Sequence, residues 1–158
     1  MTPYRWKRKE VLDALFITIK SFKGEDEISA QLARYLCVLV AGFLETSTRE
    51  ILLDYAIAES NLHVSNFVSK KMERLKSPNM DNILELAGSF NKDWSKAIKE
   101  DAKGDLTVNI NLLVTIRNKI AHGEDSDITF LSVSQYYDQV IEVIKILESH
   151  CCSSKAVP

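Results

Sequence analysis

Apolar residues along this chain recur at intervals of three and four, the spacing that lays one face of an α-helix against a core. Val11, Leu12, Leu15, Phe16 and Ile19 make one such face and predict a helix over residues 6–22, ended by Gly24. Leu32, Leu36, Leu39, Phe43, Ile51, Leu52 and Tyr55 continue the pattern through a much longer segment, 28–60. Its middle is apolar on nearly every side, so it is expected to be the central and most buried helix. A polar run at 61–65 predicts a break, followed by a short basic helix at 66–76 that Ser77-Pro78 stops. Two short helices are expected at 81–90 and 94–102, divided across 88–93. Asp105 is expected to cap the next helix, which runs to Arg117 with Gly123 just past its end. Ser132 is expected to open the last helix, with Gln135 as its capping-box partner and a face of Val133, Tyr136, Tyr137, Val140, Val143, Ile144 and Leu147. The expectation is an all-α, up-and-down bundle of about five to seven helices around one long central helix. It forms a single domain over residues 1–150, with a frayed, disordered tail at 151–158.

Composition refines this picture only a little. A chain of 158 residues, 46% hydrophobic and 27% charged, can bury a real core without disulfides or metals. A net charge of -2 argues against coating nucleic acid by bulk attraction but leaves room for a local basic cleft. Lys70, Lys71 and Arg74 supply one such cluster and are candidate RNA contacts. Arg5, Lys7, Arg8, Lys9, Lys20 and Lys23 outnumber Glu10 and Asp13 near the start, and a solvated helix face is expected there. The longest apolar run, 36–44, ends at Glu45 and falls well short of the roughly 20 residues of a membrane span. Glu10 and Asp13 interrupt any signal-peptide pattern, and a cytoplasmic protein with no membrane partner is expected. Cys37 reads as a core residue. Cys151 and Cys152 are adjacent, too cramped for a normal mutual disulfide, and lack partners for zinc.

Chemistry concentrates in Arg117-Asn118-Lys119-Ile120-Ala121-His122-Gly123, the end of an otherwise apolar helix. Arginine is a permanent cation whose planar fork suits phosphate oxygens. Histidine can take or give a proton near neutral pH. Together they are the parts of a metal-free ribonuclease. A 2′-hydroxyl would attack the adjacent phosphorus, His122 would act as general base or acid, Arg117 would hold the growing charge, and Asn118 would orient the scissile group. Lys119 is a candidate RNA contact beside them. Residues five apart on a regular helix diverge by roughly 140°. Either the last turn unwinds at Gly123, or a second copy of the chain completes the site in a two-fold dimer. Glu45, directly after an apolar stretch, is a candidate to reach Arg117; the plainer alternative is an i,i+4 pair with Arg49. His122 as a simple helix cap is the plainer alternative for the histidine. His63 is expected to be incidental and His150 to cap the last helix. No glycine-rich phosphate loop, zinc-spaced Cys/His cluster or nucleophile elbow competes, and no metal or cofactor is expected.

The arginine, the polar residue after it and the histidine resemble the Arg-x4–6-His motif of the HEPN superfamily. Ala41-Gly42-Phe43-Leu44-Glu45 on the central helix, with the Arg117 to Gly123 ending, looks most like the RiboL-PSP and MAE-type branch. The resemblance spans roughly residues 10–148 and is sharp at those two segments. It implies a helical bundle, often a homodimer, acting as a metal-independent endoribonuclease in toxin–antitoxin or phage-defence settings, with an antitoxin or other defence protein as a possible partner. It also implies a rival, since some members have lost activity and serve as modules that bind a protein or a nucleotide. In the branch silenced by nucleotide attachment a tyrosine stands two residues after the histidine. Glu124 occupies that place here, so the resemblance does not extend to that form of control.

Overall fold

The periodic faces fold as seven α-helices among the described residues, 2–22 and 24–152, of the computed structural model. In chain order they are α1 (Tyr4–Ser21), α2 (Asp26–Glu59), α3 (Leu62–Met72), α4 (Met80–Phe90), α5 (Lys92–Asp101), α6 (Asp105–Ala121) and α7 (Phe130–Cys151). The all-α bundle and its long central helix are as expected.

Side-chain caps explain where several boundaries differ from the apolar pattern. Asn61 accepts the Val64 N–H, so the break after α2 is brief and α3 starts at Leu62 and ends at Met72, four residues earlier at each end than 66–76. Asn79 and Asn82 form the capping box of α4, and Asn91 both ends that helix and accepts the Asp93 N–H of α5. Asp105 is not a cap. Gly104 holds that position at φ 66, where a residue without Cβ is favoured, and Asp105 stands in the first turn. The last helix starts at Phe130 because Thr129, not Ser132, is its cap, and Ser132 donates its N–H to Thr129.

α2 and α7 form the central pair, burying Leu36, Val40 and Leu44 with Val140, Ile144 and Leu147. α1, α3 and α6 pack on α2, while α4 and α5 form a hairpin that reaches α6 and α7. The cations of α1 do not simply make a solvated face. Arg5 is 5% exposed, with Nη1 at 3.2 Å from Glu50 and 3.1 Å from Asp54 and Nε donating to Glu148. Arg8 also pairs with Glu50, so one network ties α1 to both α2 and α7. Helical spacing alone could not reveal it, because the acids lie more than forty positions away in the chain.

Cys37 and Cys151 are buried free thiols, and Cys152 is an exposed one. α7 therefore runs one residue past the expected boundary at 150, with Cys151 in the core. The rest of the expected tail, 153–158, lies outside the described residues. No helix among the described residues is long and apolar enough to cross a membrane.

Candidate active site

The core-facing stripe of α6 contains Leu106, Ile110, Leu113 and Val114. Arg117, one turn beyond Leu113, continues that stripe, so its stem leaves the core while its cationic head needs a polar outlet. The outlet is Asn118, whose Oδ1 accepts from Arg117 Nη1 at 3.3 Å. No acidic side chain pairs with Arg117 among the described residues. Its charge is felt at Cys37 of α2: burial pushes that thiol up to about 12, and the guanidinium pulls the other way.

α6 stays wound through Ala121, and His122 is its C-cap, its N–H donating to the carbonyls of Asn118 at 3.0 Å and Lys119 at 3.1 Å. Gly123 N–H donates to Ile120 O at 3.1 Å and Glu124 N–H to Lys119 O at 2.9 Å, the crossed pair of a Schellman turn. Gly123 has φ 75, the left-handed conformation that this turn requires. Unwinding therefore begins after His122, and the helix does not carry His122 round toward Arg117. Asn118 closes part of the gap, since residues four apart are surface neighbours on a helix. It holds the arginine on one side and stands one turn below the histidine on the other. The His122 ring is exposed and has no hydrogen-bond partner among the described residues.

Val108, Leu112, Thr115, Lys119 and His122 share the outer stripe of α6, with Val108 56% and Leu112 43% exposed. The loop after the motif is fixed to α2. Arg34 donates to Ser126 O from Nε at 3.3 Å and from Nη2 at 3.1 Å, and Nη2 lies 3.7 Å from Asp125. Sequence reasoning missed Arg34, for which a lone arginine on a helix gives no signal.

Glu45 does not pair with Arg117. Its Oε1 accepts from Arg49 Nη2 at 2.9 Å, the plainer pairing, and its Oε2 accepts the Ser77 N–H at 2.7 Å. Arg49 also donates to Leu75 O at 2.8 Å. Cys37, the α2 residue that senses Arg117, is eight positions from Glu45, or roughly 12 Å along the helix. Glu45 thus clamps the α3–α4 loop, where Ser77 is held at φ 44.

Lys70, Lys71 and Arg74 are exposed on α3 and just after it, beside the C-terminal half of α2 and not beside the motif. Lys119 lies with His122 on the outer stripe of α6. His63 is exposed on α3. His150 does more than cap α7: its Nε2 is 2.6 Å from Asp101 Oδ2, linking the ends of α7 and α5. Among the described residues no group of His, Cys, Asp or Glu side chains is placed to hold a metal ion.

A family model described as RiboL-PSP-HEPN matches residues 2–153. Comparison with curated proteins and with solved structures gives no match. The fold, its long central helix and a match over almost the whole length agree, and the chain belongs to the RiboL-PSP-HEPN family.

Proposed function

We propose that this protein is a metal-independent endoribonuclease whose site is built from Arg117, Asn118 and His122. The observation that carries the reading is an arginine with no acidic partner, held by an asparagine that stands one helical turn from a free, exposed histidine. A merely structural arginine on a core-facing stripe would be expected to find a carboxylate. Membership in a HEPN family supports a nuclease, RNA-related or nucleotide-binding module in general.

In this reading one His122 takes the proton of an RNA 2′-hydroxyl as its oxygen attacks the adjacent phosphorus. Arg117 neutralises the charge that grows on the phosphoryl oxygens, and Asn118 keeps the guanidinium turned outward. The P–O5′ bond breaks, and a second His122 returns a proton to the leaving oxygen. The products are a 2′,3′-cyclic phosphate and a 5′-hydroxyl. Two-fold pairing along the outer stripe of α6 supplies that second histidine and covers Val108 and Leu112, which are otherwise exposed. Lys119 on the same stripe draws the RNA backbone in. Glu45 enters as a positioning residue for the α3–α4 loop. The family resemblance supports a role as a toxin or phage-defence effector in the cytoplasm, held in check by an antitoxin or another defence protein.

The test is RNA cleavage by the purified chain beside Arg117→Ala, Arg117→Lys and His122→Ala. All three variants should stay folded and lose nearly all activity, the lysine because an ammonium lacks the two-pronged grip on phosphate. Normal cleavage by His122→Ala would overturn the site. Folded protein that cleaves no RNA in any form would favour the silent binding module.

A further inference from the structure

α3 packs on α2, and α4 packs on α5 and α6, so the seam between α3 and α4 stays open as a groove. Its wider end, about 680 Å³, is walled by Tyr55 of α2, Phe67, Val68 and Lys71 of α3, and Leu86 and Phe90 of α4. Past Leu86 and Ser89 it continues into a hollow of about 320 Å³ beside Arg74, Lys76, Asn82 and Glu85. The wide end is aromatic. Tyr55 meets Phe90 edge-on at 6.1 Å and Trp94 at 4.7 Å, and Phe67 stands on the rim, 62% exposed, with Lys71 Nζ 5.4 Å from its ring centre. The other end is cationic. Residues 61–79 carry Lys70, Lys71, Arg74 and Lys76 against Glu73 alone, in a chain of net charge -2. No acidic side chain pairs with those four cations among the described residues. Glu59 and Glu85 stand on the facing walls, so the positive potential belongs to the α3 side.

We infer that this groove binds single-stranded RNA, with one base seated among Phe67, Tyr55 and Phe90 and the following phosphates along Lys70, Lys71, Arg74 and Lys76. Aromatic faces next to a row of exposed cations are what a flexible strand needs, since every base has a π-face and every phosphate a charge. A purely apolar partner would leave the cations unused. The volume falls within the range of sites that take a small ligand. The Glu45 and Arg49 clamp on Ser77 and Leu75 gains a purpose, because it fixes the cationic loop in place. Tyr55 lies eighteen residues, five full turns, from Cys37, on the same face of α2 and roughly 27 Å away. A strand held in the groove would have to span a distance of that order to reach Arg117. The inference rests on the RNA substrate of the proposed function but not on the chemistry of His122.

The test is binding of a fluorescently labelled oligoadenylate to the full chain, followed by anisotropy. A Trp6→Phe variant, in which Trp94 beside Phe90 reports on the groove, gives a second readout. Binding should change Trp94 emission. Phe67→Ala should weaken it about tenfold or more without lowering the melting temperature, since that ring is exposed. Lys70→Gln with Lys71→Gln should flatten the salt dependence by one to two phosphate contacts, about 0.7 each in logarithmic slope. If these variants bind RNA like the parent, the groove is not an RNA site, and unchanged cleavage by them would leave the motif reading intact. If RNA binds with the Trp94 signal but is never cut, the groove stands and the nuclease reading falls. An absence of RNA binding at low salt would overturn the groove as well.

Discussion

Nη1 of Arg117 donates to Oδ1 of Asn118 at 3.3 Å, and Asn118 in turn stands one helical turn from His122. Arg117 and His122 diverge around the helix, and in the proposed site Asn118 between them holds the cation on the histidine's side. Asn118→Ala should therefore leave the fold intact and slow RNA cleavage by about 10²-fold, the order expected when a reacting group is misplaced by an ångström. Cleavage kinetics beside a thermal melt check it; an unchanged rate would mean that Arg117 finds its own orientation.

The bundle and the placing of Arg117 to Gly123 at the end of a helix were legible in the sequence because both follow from local periodicity. Leu36, Leu44, Val140 and Leu147 repeat at helical intervals, and Gly123 marks a helix end where only a left-handed residue fits. What stayed hidden depends on contacts between distant segments. Arg5 reads as one of several surface cations until Glu50 and Glu148 meet it, and Glu45 reads as a neighbour of Arg117 until Ser77 takes its oxygen. The expected cap at Ser132 gave way to Thr129, three residues earlier, whose hydroxyl accepts the Ser132 N–H. Leu39 was expected in the core with Phe43, but Phe43 is buried while Leu39 only packs against the edge of the core.

That difference sets a stability prediction. Leu44→Ala, at a fully buried position, should cost ~2–5 kcal/mol, and Leu39→Ala clearly less. Urea melts of the two variants decide it; equal losses would mean that the face of α2 is rotated from the one described.

Arg5 makes a sharper case. Arg5→Ala removes the buried cation that joins Glu50, Asp54 and Glu148, leaving Glu50 with Arg8 and Glu148 with the Trp6 indole, and should destabilise by about 3 kcal/mol. Lys7→Ala, on an exposed neighbour, should change stability by less than about 0.5 kcal/mol. Denaturant midpoints for the pair check the contrast.

Alkaline pH should weaken the fold. Burial pushes the thiols of Cys37 and Cys151 up to about 12 from the ordinary 9.0, and burial with a hydrogen bond to Asp13 raises the Tyr137 hydroxyl. Each folded-state pKa is raised, so stability is fully present below about pH 9 and is lost as pH climbs from 9 toward 12, where the unfolded chain ionises first. Melts at pH 8 and pH 10.5 should differ in that direction. In native buffer a thiol reagent should reach Cys152 readily and reach Cys37 and Cys151 only on unfolding.

The measurement that bears most directly on the central claim is RNA cleavage by the purified chain in excess EDTA, with product ends identified, for wild type and His122→Ala side by side. The account predicts undiminished cleavage by the wild type, 2′,3′-cyclic phosphate and 5′-hydroxyl ends, and a loss of ~10²–10⁴ in rate for His122→Ala at an unchanged melting temperature. Cleavage abolished by EDTA, or a His122→Ala variant that cuts RNA at the wild-type rate, would contradict it.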